Sequence, residues 1–256
     1  MKTRFSIFFW LLAMGLLSCS KDGGEAPEQQ AANATSEICQ NVTGIEAIYW
    51  DLSNGVLRGD IPGGIPTVKN PGDYYIHSGY PALGFQMPAG YQAFEISDAS
   101  SQAIGVDVVR NDNKVVWRYL TFTSAGIVQP QQILNQQVNI FVDALGNAND
   151  AQAICENSFS QPITSSMINS GASVMLRSGT STLVVKASSL MSQDLNTSFI
   201  SIEVSAGPTA EFEMLALDTY LAITWQLLYI DNDIRDTDLD GTPDVNDNFP
   251  YDPTKQ

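Results

Sequence analysis

The sequence predicts an all-β fold, an antiparallel β-sandwich carried between a disordered N-terminal tether and a C-terminal acidic loop segment. Three observations lead there. Between residues 44 and 230 the apolar stretches are short and rich in Val, Ile, Tyr, Phe and Trp, and Gly, Pro, Asn, Asp and Ser separate them. Residues 199–205 alternate strictly, so that Ile200, Ile202 and Val204 face opposite to Phe199, Ser201, Glu203 and Ser205. Strand candidates recur at roughly ten-residue intervals with no sustained helical period.

The chain begins with Met1-Lys2-Thr3-Arg4, a basic leader, followed over residues 5–17 by an apolar run too short to span a bilayer as a stable helix. Residues 1–18 therefore read as a secretory signal peptide. Leu16-Leu17-Ser18-Cys19 resembles the bacterial lipobox, in which small residues precede an acylated cysteine. The resemblance implies a lipid on Cys19, a membrane as partner through that anchor, and a bacterial cell-envelope location. Each buried CH₂ of an acyl chain contributes about 0.8 kcal/mol, so several chains give lasting attachment. Ser20 follows the cysteine where an Asp would signal inner-membrane retention, and by resemblance this favours an outer-membrane lipoprotein, facing either the periplasm or the cell exterior. Residues 19–43 hold few large apolar side chains and read as a flexible tether.

In the body, residues 44–230, the candidate strands are 45–52, 91–97, 103–110, 114–123, 137–144, 173–177, 182–187, 197–205 and 210–230, the last as one strand or two. Apolar residues are nearly continuous over 220–230, which suits a helix equally well. Arg110-Asn111-Asp112-Asn113-Lys114 links two strands as a hairpin turn. Residues 147–160 either divide two small sandwiches or form a loop within one large one. The Ser- and Thr-rich stretch 158–201 reads as a solvent face. Residues 60–90 carry Pro and Gly repeatedly and read as one long loop holding Tyr74, Tyr75, Tyr80 and Phe85, with Tyr91 and Trp50 nearby. Exposed rings there would stack on a surface glycan; otherwise they cap the ends of the sandwich, which is the reading preferred.

The chain has three cysteines, and acylation of Cys19 leaves Cys39 and Cys155 as an even pair in an oxidising compartment. A disulfide between them is expected, the alternative being two separately buried thiols. Closing a loop of about 100 residues is worth about 4.7 kcal/mol as an upper guide. The net charge of −16 falls heavily on residues 231–256. Without a basic stripe to neutralise phosphates, nucleic acid is excluded as a partner, and divalent cations are favoured.

The tail spells out why. In the window that begins at Asp236, carboxylates stand at the first, third, fifth, ninth and twelfth places with Gly241 at the sixth, the ligand order of a calcium loop. Calcium wants six to eight oxygens at about 2.3–2.6 Å, so alternate side chains must turn inward around a sharp bend. Asp236, Asp238 and Asp240 supply the first ligands, Thr242 its main-chain carbonyl, Asp244 a direct or water-mediated contact, and Asp247 closes the loop. Asn248-Phe249-Pro250 follows at once, and proline obstructs an exiting helix, so a helix–loop–helix hand is not expected. The segment resembles the thrombospondin type 3 repeat in its bacterial form, with the ending Asp247-Asn248-Phe249-Pro250-Tyr251-Asp252-Pro253. That family binds calcium, and the resemblance implies Ca²⁺ as cofactor with ligands on Asp236, Asp238, Asp240, Asp244 and Asp247. One full copy stands alone here, whereas such repeats occur in tandem.

No catalyst is expected. The one histidine, His77, lies in the 60–90 span without a nucleophile elbow or a free active-site cysteine, and zinc lacks ligands. Glu46, Asp51, Asp60, Asp73 and Glu95 are the carboxylates available to a glycosidase-like pair. The expected function is a non-catalytic, calcium-binding lipoprotein of the outer membrane or cell surface, with a structural or adhesive role and a glycan or protein partner. The alternative is a carbohydrate-binding module or carbohydrate-active enzyme using residues 60–90.

Overall fold

The computed structural model describes residues 42, 44–53, 66–81, 83–145, 150–228, 249 and 254–255, all within the unit Ile38–Gln256. The fold is mainly β. Strands β3 (Tyr91–Asp98), β4 (Ala103–Arg110), β5 (Val116–Ala125), β6 (Gln152–Pro162), β7 (Met167–Ser178), β8 (Ser181–Ser192) and β9 (Thr197–Pro208) form one antiparallel seven-stranded sheet in the order β3-β4-β5-β9-β8-β7-β6. It consists of two meanders, β3 to β5 and β6 to β9, joined where β5 pairs with β9 from Val116↔Ala206 to Ala125↔Thr197. Strands β1 (Pro71–Ile76) and β2 (Gly84–Pro88) make a second, two-stranded antiparallel sheet.

The arrangement is sandwich-like because the small sheet stacks on one face of the large one. Phe85 of β2 meets Trp117 of β5 edge-on, with ring centroids 5.5 Å apart, and both are fully buried. The same face is covered by helix α1 (Ile45–Ser53) and by a C-terminal helical run: a 3₁₀ turn (Thr209–Glu211), α3 (Phe212–Leu215), a π turn (Ala216–Tyr220) and α4 (Leu221–Leu228). Tyr49, Phe212 and Tyr220 pack as a ring triad, with Tyr49 Oη donating to Ser205 Oγ and Tyr220 Oη to the Ala206 carbonyl. The opposite face carries helix α2 (Pro130–Ala144), whose Ile133, Leu134, Phe141 and Val142 bury against Val174, Val185, Ile202 and neighbours. Each fully buried side chain of this size contributes about 1.5–3 kcal/mol, so both faces of the sheet are core.

Several elements differ from the sequence expectation. Residues 45–52 form α1 instead of a strand, since Ala47, Tyr49 and Trp50 bury a helical face. The run 137–144 is the second half of α2: Pro130 opens that helix, and buried Ile133, Leu134, Gln137 and Phe141 recur at helical spacing. Residues 210–230 are helical as far as 228, and apolar almost all round because the small sheet, α1 and the large sheet enclose them. The 60–90 span holds the β1–β2 hairpin within its described part. Residues 152–162 are a strand of the same sheet, so one continuous sheet crosses the 147–160 boundary. The 158–201 stretch is no plain solvent face either. Ser170, Ser173, Thr182, Ser189 and Ser198 are buried, and Ser189 Oγ and Ser198 Oγ donate to the Val128 and Gly126 carbonyls. The hairpin turn at 110–114 is as expected: the Asn113 amide closes it on the Arg110 carbonyl, and Asn113 takes a positive φ of 59°.

Candidate functional site

The calcium-loop residues Asp236, Asp238, Asp240, Thr242, Asp244 and Asp247 lie outside the described residues, as do Cys19 and Cys39. Of the tail, the described Phe249 is 47% exposed, and the Lys255 ammonium sits 5.1 Å from its ring centroid, a cation–π contact. Among the described residues no group of three or more His, Cys, Asp or Glu side chains converges in metal-binding geometry.

What the described residues do show is how the elements flanking the tail are fastened. α4 is held to the sheet by a buried polar chain. Trp117 Nε1 donates to Thr224 Oγ1 at 3.2 Å, Thr224 Oγ1 donates to Glu203 Oε1 at 2.8 Å, and Lys186 Nζ reaches Glu203 Oε2 at 2.5 Å. Glu203 and Lys186 face each other across β9 and β8, with side chains 14% and 18% exposed. Tyr119, opposite Glu203 on β5, stacks on Trp117, and burial above all, with the Glu203 charge behind it, pushes its phenol up to about 12. Two residues further along the same helix, Gln226 lies against β2. Its Nε2 donates to the Gln86 carbonyl at 3.1 Å, and its Oε1 accepts from the Gln86 amide at 2.7 Å. A side-chain amide thus stands where a neighbouring strand would be.

His77 is fully buried between β1 and β2. Its Nδ1 accepts from the Gly79 amide at 3.1 Å, which leaves Nε2 as the protonated nitrogen, donating to the Ile96 carbonyl at 3.1 Å. Glu95 Oε1 lies 3.9 Å from Nε2, but it is occupied by Ser78, whose hydroxyl and amide donate to the two carboxylate oxygens at 2.5 and 2.7 Å. The Ser78 hydroxyl bond first, then its amide, hold Glu95 below the ordinary glutamate range. Ser, His and Glu are neighbours here, but the serine hydroxyl points to the carboxylate and not to the imidazole, so no proton relay to a nucleophile exists.

Among the described side chains, which leave out that of Asp51, the other carboxylates do not gather. Glu46 of α1 pairs with Arg177 of β7 at 3.0 Å, Asp73 is exposed on β1, and Asp60 lies outside the described residues. Glu95 sits on the edge strand β3, with four strands between it and β7, which carries Arg177 of the Glu46–Arg177 pair. Trp50 and Phe85 are core residues, and Tyr74, Tyr75, Tyr80 and Tyr91 are half-buried. Tyr75 tilts against Phe85 at 5.3 Å, and Tyr91 Oη meets Thr219 Oγ1 at 3.3 Å. Tyr75, Tyr80 and Tyr91 pack against the core beneath the small sheet. Cys155 is buried and disulfide-bonded at the bulge of β6 between Ala153 and Cys155; its partner lies outside the described residues. A shallow groove of about 310 Å³ lies between the start of α2 at Pro130 and the ends of β6 and β7, floored by Ser158, Ser160, Ser170 and Ala172. Sequence reasoning missed the Glu203 chain and the Gln226 contact because both depend on α4 lying on the sheet, which no local pattern encodes.

By fold this is a strand-rich, sandwich-like antiparallel protein with helices on both faces of its large sheet. No protein-family model and no curated protein matches the chain. Among solved structures, the crystal structure of the Saccharomyces cerevisiae Ran-binding protein Mog1p is similar at 13% identity and a TM-score of 0.30, over 62% of this chain and 90% of that one. A likeness of that size carries no functional argument.

Proposed function

We propose that this chain is a lipid-anchored, calcium-binding protein of the bacterial envelope, with a structural or adhesive role and no catalytic one. The observation that carries the reading is the order of Asp236, Asp238, Asp240, Asp244 and Asp247 around Gly241. Five carboxylates in one short loop repel one another until a dication neutralises them. The anchor rests on Cys19 after its short apolar run, and Cys39 is the proposed partner of Cys155. The described polar groups support a non-catalytic body: His77 has both ring nitrogens engaged by main-chain groups, and Ser78 is turned to Glu95.

The proposal is tested by limited proteolysis of the purified chain in EGTA and in millimolar Ca²⁺, reading cleavage within residues 231–256. Calcium is expected to slow tail cleavage while leaving the body fragment unchanged. Equal cleavage rates in the two conditions overturn the calcium assignment.

A further inference from the structure

The four strand edges in the described residues are not treated alike. An unpaired edge is a template for another strand, and folds blunt it with charges, prolines, bulges or covering groups. β1 is six residues long, starts at Pro71 and has a register break between Pro71 and Tyr74. β2 has the Gln226 side chain on its outer main chain. β3 has its Ile96 carbonyl taken by His77 and carries Glu95 and Asp98. The remaining edge, β6, runs for eleven residues, and after the bulge at Cys155 its residues from Glu156 to Pro162 are all exposed. Within that run Glu156 is the one charged side chain, and proline comes only at the end. Phe159 is 50% exposed, its ring laid over Gly171, where a Cβ would come within 2.3 Å of it.

We propose that β6 is the edge through which two copies of this chain pair, antiparallel, to make one continuous sheet. The strand's own sequence argues for a second copy as occupant. Main-chain groups alternate in direction along an edge, so a two-fold pairing must put residues of the same parity opposite each other, and the axis passes through a single position. With the axis at Phe159, its Cβ stands about 4.5–5.5 Å from that of its counterpart, each ring resting on its own Gly171. Ser158 then faces Ser160 of the second copy, Asn157 faces Gln161, and Glu156 faces Pro162. No like charges meet, and the one apolar side chain of the exposed run lies beside its own kind at the axis. A net charge of −16 on each copy opposes association at long range, so the dimer tightens as salt screens it.

Sedimentation equilibrium of the full chain in density-matched detergent tests this. The expected result is a concentration-dependent dimer whose association constant rises with ionic strength and falls at least tenfold in Phe159→Lys, where two ammonium groups would meet at the axis. Should that variant misfold by circular dichroism, oxidative cross-linking provides the second reading. Phe159→Cys is expected to give a covalent dimer, and Phe94→Cys, an exposed position on β3, is not. A monomer at every concentration and salt, an unchanged constant in folded Phe159→Lys, or equal cross-linking from the two cysteine variants overturns the proposal.

Discussion

Removing the Lys186 ammonium while leaving Glu203 in place tests how α4 is held on the sheet. The two side chains are 18% and 14% exposed, and the other Glu203 oxygen accepts from the Thr224 hydroxyl, itself bridged to Trp117. In Lys186→Met the carboxylate keeps one neutral hydrogen bond and loses its counter-charge. Breaking a buried pair from one side costs about 3–5 kcal/mol; with water still reaching both groups here, about 2–3 kcal/mol is the better figure. Glu203→Gln keeps an acceptor for Thr224 and removes the carboxylate charge facing the ammonium, but a lysine can extend towards water, so about 1–2 kcal/mol follows. Lys186→Met with Glu203→Gln leaves no uncompensated charge and should lose only about 1 kcal/mol, less than either single change would suggest. Urea unfolding with the disulfide intact measures all four proteins, and the cycle isolates the coupling. A coupling of about 2 kcal/mol or more is expected. Additive losses, with a coupling under about 0.5 kcal/mol, would refute the claim that this pair acts as a unit.

Three further outcomes are expected. Gly207→Ala places a Cβ within 2.6 Å of Tyr220 Oη and 2.8 Å of Leu215 Cδ1, so the Tyr220 bond to the Ala206 carbonyl must shift. A thermal melt should show a loss of about 1–3 kcal/mol, and an unchanged melt would mean the contact relaxes freely. Non-reducing peptide mapping should recover Cys155 linked to Cys39, and Cys39→Ser should cost about 2–5 kcal/mol; recovery of Cys39 as a free thiol contradicts the pairing. Glu95 is held below its ordinary range by Ser78, so its contribution is fully present above the unfolded glutamate pKa and is lost as pH falls through the lower folded value. Acid unfolding of Glu95→Gln should therefore show a shallower loss of stability than the parent below about pH 4.5, and parallel curves would contradict the assignment.

Legibility of the fold in the sequence followed how local its causes were. β4, β5 and β9 were readable because their alternation is local and the 110–114 turn has its own chemistry in Asn113. The run 137–144 reads as a strand on its own because the helical stripe of α2 starts upstream, at Pro130, Ile133 and Leu134. β6 gave no signal: Ser, Asn and Gln on an exposed edge carry no apolar period, and β7 alone makes it a strand. The part His77 plays in covering the β3 edge depends on Ile96 nineteen residues away, which no local pattern shows. Cys155 could be expected to be oxidised from cysteine arithmetic alone. The tail is the reverse case: the calcium chemistry proposed for it is read from ligand spacing within one short window.

Isothermal titration of Ca²⁺ into the chain, beside the variant Asp238→Ala with Asp240→Ala, measures that chemistry most directly. The parent should bind with a dissociation constant of about 10⁻⁴ to 10⁻³ M, in the range of extracellular calcium modules. At 10 mM Ca²⁺ this stabilises the bound tail by about 1.4–2.7 kcal/mol, and the double variant should lose the binding heat. Equal heats from the two proteins would contradict the placement of calcium on this loop.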